Sequence, residues 1–193
     1  FMVEAWGGGG GGSCWAGGGA GGYVAGLFEN AVPTTSVSIS IGTGGIGDPR
    51  YGSSGQSTQV IYDGKTIRGL VGVGANISIP NVMTGSTGGG FYHTATFLNY
   101  YGLKGEDGSI GIQEYHTYSN YSMQKVFGAN GGNAPYTTTT GGAGGFSQYN
   151  GGVEFKKAAS PGTIPGGGGG GGYAAFTTAS SGGNGGDGMV IIH

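Results

Sequence analysis

Hydrophobic and polar residues alternate along residues 36–41, where Val37, Ile39 and Ile41 are separated by Ser36, Ser38 and Ser40. A period of two marks a strand with one face in the core and one in water, so a half-buried strand is expected there. Residues 59–62 and 65–71 are also β-prone. Asp63-Gly64 between them is a favoured two-residue turn, so the pair is read as a hairpin. Further strands are expected at 1–6, at Asn76–Ile79, where Pro80 stops the run, and at Met189–Ile192. Two more, 92–100 and 110–118, are expected on either side of a polar turn at 104–109. No apolar stripe recurs every three or four residues between capping residues, so essentially no α-helix is expected.

Glycine interrupts this pattern throughout. Unbroken runs fill 7–12 and 166–172, and shorter ones recur at 17–19, 21–22, 88–90, 131–132, 141–142, 144–145, 182–183 and 185–186. An isolated run would be a flexible linker, because glycine loses more backbone freedom on ordering than any other residue. Packing extended, left-handed threefold helices side by side offsets that loss. Without side chains the backbones approach until N–H and C=O groups bond between neighbours. At about 3.1 Å per residue, six or seven glycines span roughly 19–22 Å, enough to cross a small domain. The expected fold is therefore mainly irregular and all-β: packed polyglycine II helices with short strands and hairpins, and almost no α-helix.

Composition supports order. Glycine supplies 52 of the 193 residues, a share that by itself reads as low complexity. Yet aromatics make up 11 % and charged residues only 8 %, whereas a disordered chain is charged and poor in rings. The length fits one domain. A glycine-rich scaffold is expected over about 1–90 and 150–193, with an aromatic-rich variable segment over about 91–149. The net charge of −2 and the scattered Lys and Arg residues form no basic patch, so nucleic acid is not an expected partner. No stretch approaches the length of a membrane span, and no membrane insertion is expected. Cys14 is alone, so no internal disulfide is expected. The chain starts at Phe1 and enters strand-like sequence at once, which reads as part of something longer.

Candidate chemistry is sparse. Gly42-Thr43-Gly44-Gly45-Ile46-Gly47 spells the dinucleotide fingerprint, but a helix should open at its last glycine and Asp48-Pro49-Arg50-Tyr51 is turn sequence. His93, His116 and His193 have no second ligand at metal-binding spacing. His93 and His116 would meet only if their strands paired. The carboxylates are isolated apart from Glu106 and Asp107, which fall in the expected turn. No catalysis, no metal and no cofactor are expected. The middle of the chain is instead crowded with rings interleaved with Asn and Thr, a composition suited to a recognition surface. The candidate contact residues are Tyr92, His93, Tyr100, Tyr101, Tyr115, Tyr118, Tyr121 and Tyr136, with Trp15 on the first glycine turn. The alternative use of each ring is packing onto glycine backbone in place of an aliphatic core.

The two ends of the chain carry a resemblance. Val3-Glu4-Ala5-Trp6 runs into glycines 7–12, then come glycines 17–19, Ala20, glycines 21–22, Tyr23 and Val24, then the Ser-rich strand leading to Gly42-Thr43-Gly44-Gly45. The chain closes with glycines 166–172, Tyr173 and Gly182-Gly183-Asn184-Gly185-Gly186-Asp187-Gly188 before Met189–Ile192. Together these resemble the glycine-rich C-terminal tip domains of bacteriophage tail fibres and related receptor-binding adhesins. The resemblance covers about 3–47 and 166–192 and leaves 91–149 unmatched. It implies a sandwich of polyglycine helices whose loops bind a bacterial surface polysaccharide or an outer-membrane protein. It also implies a place on the virion, a join to the rest of the tail fibre, and either a homotrimer or a single copy on a trimeric shaft. The terminal strands are then expected to pair at one end, and the rings to lie on loops at the other. An ice-binding bundle would want a strict three-residue repeat and a flat face of small residues. A purely structural bundle would bind only other proteins.

Overall fold

The computed structural model describes residues 1–32, 34–79, 82–84, 86–94, 99–117, 122–138, 140–150, 153–173 and 179–193. Residues 7–12 show how the glycines are held. Gly7 and Gly10 donate to the carbonyls of Gly22 and Gly19, Gly8 and Gly11 to those of Gln56 and Ser53, and Gly9 and Gly12 to those of Gly186 and Gly183, all at 2.8–2.9 Å. Their carbonyls face other neighbours: Gly8 and Gly11 accept from Gly72 and Ala75, Gly9 and Gly12 from Gly45 and Asp48, and Gly10 from Gly169. A donor direction that returns every third residue is what a threefold polyglycine II helix produces. Among the described glycines only Gly64 and Gly166 have positive φ, so the helices share the left-handed, polyproline-type twist.

Segments 7–12, 42–47, 70–75, 104–109, 140–145 and 166–172 run in one direction, and 17–22, 52–57, 86–90, 128–133, 158–163 and 182–187 return between them. Every residue of the passes 7–12, 17–22 and 166–172 is buried. A Cβ added to Gly9, Gly18 or Gly169 would sit 2.2, 2.0 or 1.9 Å from a carbonyl oxygen of a neighbouring pass. Outer passes keep glycine on their inner faces and turn every third side chain to water, as Thr43 and Ile46, Asn130 and Asn133, Thr140 and Ala143, and Asn184 and Asp187 do. The expectation that both long runs are packed rather than looped is met.

Fourteen strands are described: β1 (Met2–Trp6), β2 (Tyr23–Leu27), β3 (Ser38–Ser40), β4 (Thr58–Tyr62), β5 (Lys65–Gly69), β6 (Asn76–Ile79), β7 (Val82–Thr84), β8 (Phe91–His93), β9 (Tyr100–Leu103), β10 (Ile112–Thr117), β11 (Ser122–Phe127), β12 (Phe146–Asn150), β13 (Val153–Lys157) and β14 (Met189–Ile192). No helix occurs among the described residues. Because the passes alternate in direction, the connections alternate between two ends of the lattice. At one end the sheets β14-β1-β2-β9 and β3-β4-β5-β8 face each other over Val3, Ala5, Val24, Phe28, Val60, Tyr62 and Ile67. At the other end lie the turns 13–16 and 48–51, the β6–β7 pair and the sheet β10-β11-β12-β13.

The terminal strands pair as expected, with Val3 opposite Ile192 and Trp6 opposite Met189. The β4–β5 hairpin also forms as read, and both turn residues have positive φ (Asp63 47°, Gly64 69°), the conformation of a type I′ turn. Three expectations need correction. The strand in 36–41 is not half-buried: Ser38, Ile39 and Ser40 are all exposed, because β3 is the edge of its sheet and only Val37 reaches the core. Residues 92–100 are not one strand, since β8 pairs with β5 and β9 with β2, and the chain passes from one sheet to the other. Residues 104–109 do not turn. They cross the lattice, with Gly105 and Gly108 donating to the carbonyls of Gly89 and Ser86.

Candidate functional site

The structure divides the candidate rings between the two ends. Tyr92, His93, Tyr100, Tyr101 and Tyr136 lie at the end that carries the terminal strands, not on the far loops where they were expected. His93 stacks on Tyr100 with ring centroids 3.5 Å apart, and its Nδ1–H donates to the Thr94 carbonyl at 2.9 Å. Arg68 lies over the Tyr92 ring at 5.6 Å and donates to Gln59 Oε1 at 2.7 Å. Trp6, Tyr23, Tyr136 and Tyr101 form a ladder with centroid spacings of 4.8, 5.1 and 5.7 Å. Tyr136 closes it by donating to the Tyr101 hydroxyl at 3.0 Å, and this bond raises the Tyr136 phenol above its ordinary value. Burial first, and then its bond to Glu4 Oε2, raise the Tyr23 phenol. Glu4 is shared, because its Oε1 meets His193 Nε2 at 2.9 Å. Tyr136 and Tyr101 are exposed, whereas Tyr23 is buried, so this cluster combines packing at its root with open rings at its tip.

Trp15 belongs to the opposite end. Its φ is 87°, a region a bulky residue adopts only when its surroundings enforce it. Three backbone bonds hold it: its N–H donates to Gly172, and its carbonyl accepts from Gly111 at 2.7 Å and from Ala129 at 3.2 Å. The ring is half-buried. Tyr115 is on β10 of the same end, with its backbone opposite Gln124. Tyr118 and Tyr121 lie outside the described residues.

The β10–β13 sheet presents a further face, which the tyrosine pattern does not indicate. Register places Ile112, Phe127, Phe146 and Lys157 in one cross-strand row, and Glu114, Lys125, Gln148 and Phe155 two rows along. These rows share a face, because side chains alternate along a strand. The intervening row turns Val126 and Ser147 inward, where both are buried. On the outer face Ile112 is 62 % exposed, Phe155 57 %, Val153 55 % and Phe127 37 %. Phe127 and Phe146 touch with centroids 5.2 Å apart. The inner side of the sheet is thus covered at Val126 and Ser147, while Ile112, Phe127, Val153 and Phe155 stand uncovered on the outer face beside Glu114, Lys125 and Gln148. The alternation in Val153-Glu154-Phe155 was the available sequence signal.

The other candidate motifs resolve into lattice. Gly45 of the fingerprint-like segment donates to the Gly9 carbonyl, and no helix follows it. Cys14 is buried and its thiol is pushed up to about 11 by desolvation. Residues 1–193 match the sequence family described as a glycine-rich domain. No curated protein matches the chain.

Proposed function

The chain belongs to the glycine-rich domain family, and we propose that within it this domain is a receptor-binding tip of a phage tail fibre, attaching the virion to a bacterial surface polysaccharide or outer-membrane protein. The observation that supports this reading is the polarity of the molecule. The terminal strands pair with each other at one end of the lattice, and a sheet face with Ile112, Phe127, Val153 and Phe155 uncovered stands at the opposite end. Exposed apolar side chains grouped on one face among polar residues mark an interaction site. In this reading the paired end joins the rest of the fibre, and the β10–β13 face with the adjoining turns meets the receptor. Rings supply contact area at low rotamer cost, and the Gln, Lys and Glu residues between them fix orientation. Each contact is weak, and several fibres acting together make attachment durable.

The test uses the labelled full chain on a panel of bacterial cells, with Phe127→Ala/Phe155→Ala compared with Tyr101→Ala/Tyr136→Ala. Cell binding and melting temperature are scored together. Loss of binding in the first pair, with melting unchanged, is the expected result. Binding by the wild type to no cell surface, or equal binding by the first pair, refutes the reading.

A further inference from the structure

The two sheets of the terminal end are closed on one side and open on the other. β1 lies over β4, β2 over β5, and β9 beside β8, where His93 stacks on Tyr100. The remaining edges, β3 and β14, therefore fall on the same side of the core. Val37 and Val190 pack against that core, but the residues next along their rows do not close over it. Ile39 stands opposite buried Val60 and Ile192 opposite buried Val3, yet Ile39, Ile41 and Ile192 are all exposed. The backbone of β3 is free on this side as well. A two-residue turn makes Tyr62 and Lys65 a hydrogen-bonded pair. Alternation along β4 then turns Gln59 and Ile61 towards β3, where they meet Ser40 and Ser38. The N–H and C=O groups of Val37, Ile39 and Ile41 point the other way, and no backbone bond outside the ladder uses them. No Asp, Glu, Lys or Arg lies between Glu29 and Asp48. Sheet edges are ordinarily guarded by charge, as β13 is by Glu154, Lys156 and Lys157.

We propose that β3 is a pairing edge for the β3 of a second copy of this chain, antiparallel and centred on Ile39. In that register Ile39 meets Ile39, Val37 meets Ile41 and Ser38 meets Ser40. Aliphatic side chains then face one another on the inward side, and serines on the outward side. The free backbone groups coincide too, because 37, 39 and 41 of one copy fall opposite 41, 39 and 37 of the other. Each of these pairs exchanges both its bonds. A like strand is the partner that fits: the apolar–serine pattern of 37–41 reads the same in both directions, and two uncharged strands do not repel. The exposed Ile39 and Ile41 side chains of each copy are covered by the other. Because β3 leads directly into pass 42–47, antiparallel pairing sends the two lattices in opposite directions and leaves both β10–β13 faces open. The inference rests on this edge alone and stands apart from how the far faces are used.

The experiment follows the mass of the full chain by light scattering over a concentration series, with amide exchange read at the lowest and highest concentrations. Two variants address the edge. Ile39→Lys sets like charges against each other at the centre of the pair, and Ile39→Pro removes only a donor that points away from β4. Phe127→Ala/Phe155→Ala is the control at the far end. The wild-type mass should rise towards that of two chains. Exchange at Ile39 and Ile41 should slow with concentration, while Ser38 and Ser40, already bonded to β4, stay unchanged. Both Ile39 variants should weaken association by about tenfold or more, through opposed like charges in one and missing bonds in the other. The control should associate as the wild type does. A single-chain mass at every concentration overturns the proposal, as does association that both Ile39 variants retain. A mass of three chains also overturns it, because an edge pair closes at two. So does association lost in the far-end control, which would place the contact on the β10–β13 face.

Discussion

Replacing Gly9 by alanine tests the lattice most directly. The new Cβ would lie 2.2 Å from the Gly167 carbonyl oxygen and 2.7 Å from that of Gly166, both backbone atoms of a pass that is itself buried. Restoring contact distance means moving pass 166–172 by about 1 Å, and strain of this kind in a packed interior costs about 1–3 kcal/mol. The same shift loosens the bonds from Gly169 to Gly10 and from Gly18 to Gly169. Each is worth about 1 kcal/mol net, and more where a buried partner is left unmade. The total is about 3–6 kcal/mol, a large part of the about 5–15 kcal/mol that a domain commands. At about 2–4 °C per kcal/mol for a chain of this size, the melting temperature should fall by roughly 10–20 °C. Gly9→Val and Gly169→Val should exceed the whole margin.

Two further glycines serve as controls. A Cβ on Gly90 meets only Leu70 Cδ1 at 3.9 Å, so Gly90→Ala should be neutral or stabilise by up to about 1 kcal/mol through the unfolded chain. Gly64 has open space around it but a φ of +69°, so Gly64→Ala should cost only the left-handed strain of about 1–2 kcal/mol. The assay is calorimetric or denaturant unfolding of all three. A Gly9→Ala melt within a few degrees of wild type would refute the reasoning, as would a Gly90→Ala loss as large as that of Gly9→Ala.

Other outcomes follow from the buried groups. With its thiol near 11, Cys14 should react with iodoacetamide at neutral to mildly alkaline pH about two orders of magnitude more slowly than an unfolded thiol, and unfolding should restore the ordinary rate. The Tyr23 phenol is raised in the folded state, chiefly by burial, so its contribution is complete below about pH 10, the unfolded value. It is lost as pH rises above that towards the folded value. Tyr23→Phe should remove this alkaline slope from a stability–pH profile, and an unchanged slope would assign it to another group.

What was legible in the sequence was local. Asp63-Gly64 fixes a turn by its own φ preferences, and the paired β-prone ends needed only complementary strands beside glycine tracts. The pass at 104–109 was hidden because its glycines stand singly, at 105 and 108, among charged residues that turn outward on a three-residue period. The period was present, but Lys104, Glu106, Asp107 and Ser109 read as turn polarity. The five rings at the sheet end were misplaced for a different reason. No local property of Tyr92 or Tyr101 says at which end of the lattice its segment turns. The parity of the passes before it does, and one unrecognised pass inverts every later assignment.

That parity also explains how the molecule separates holding together from reaching out. Burial of aliphatic and aromatic side chains concentrates between the two terminal-end sheets, while through the lattice the buried atoms are backbone, paired pass to pass. Segments at the far end are therefore bounded on both sides by passes whose bonds do not involve their side chains. Gly128 and Gly145 bond to each other beneath the β11 and β12 strands, whatever side chains those strands carry above. Substitutions on the outer face of β10–β13 should accordingly leave the unfolding free energy within about 0.5 kcal/mol of wild type, the usual range for exposed positions, whereas Phe28→Ala in the terminal-end core should cost about 3–5 kcal/mol. Unfolding measurements on Ile112→Ser, Phe155→Ser and Phe28→Ala decide the matter. If the two outer-face variants destabilise as much as Phe28→Ala, the far sheet is part of the stabilising core and its apolar face is not free to serve recognition.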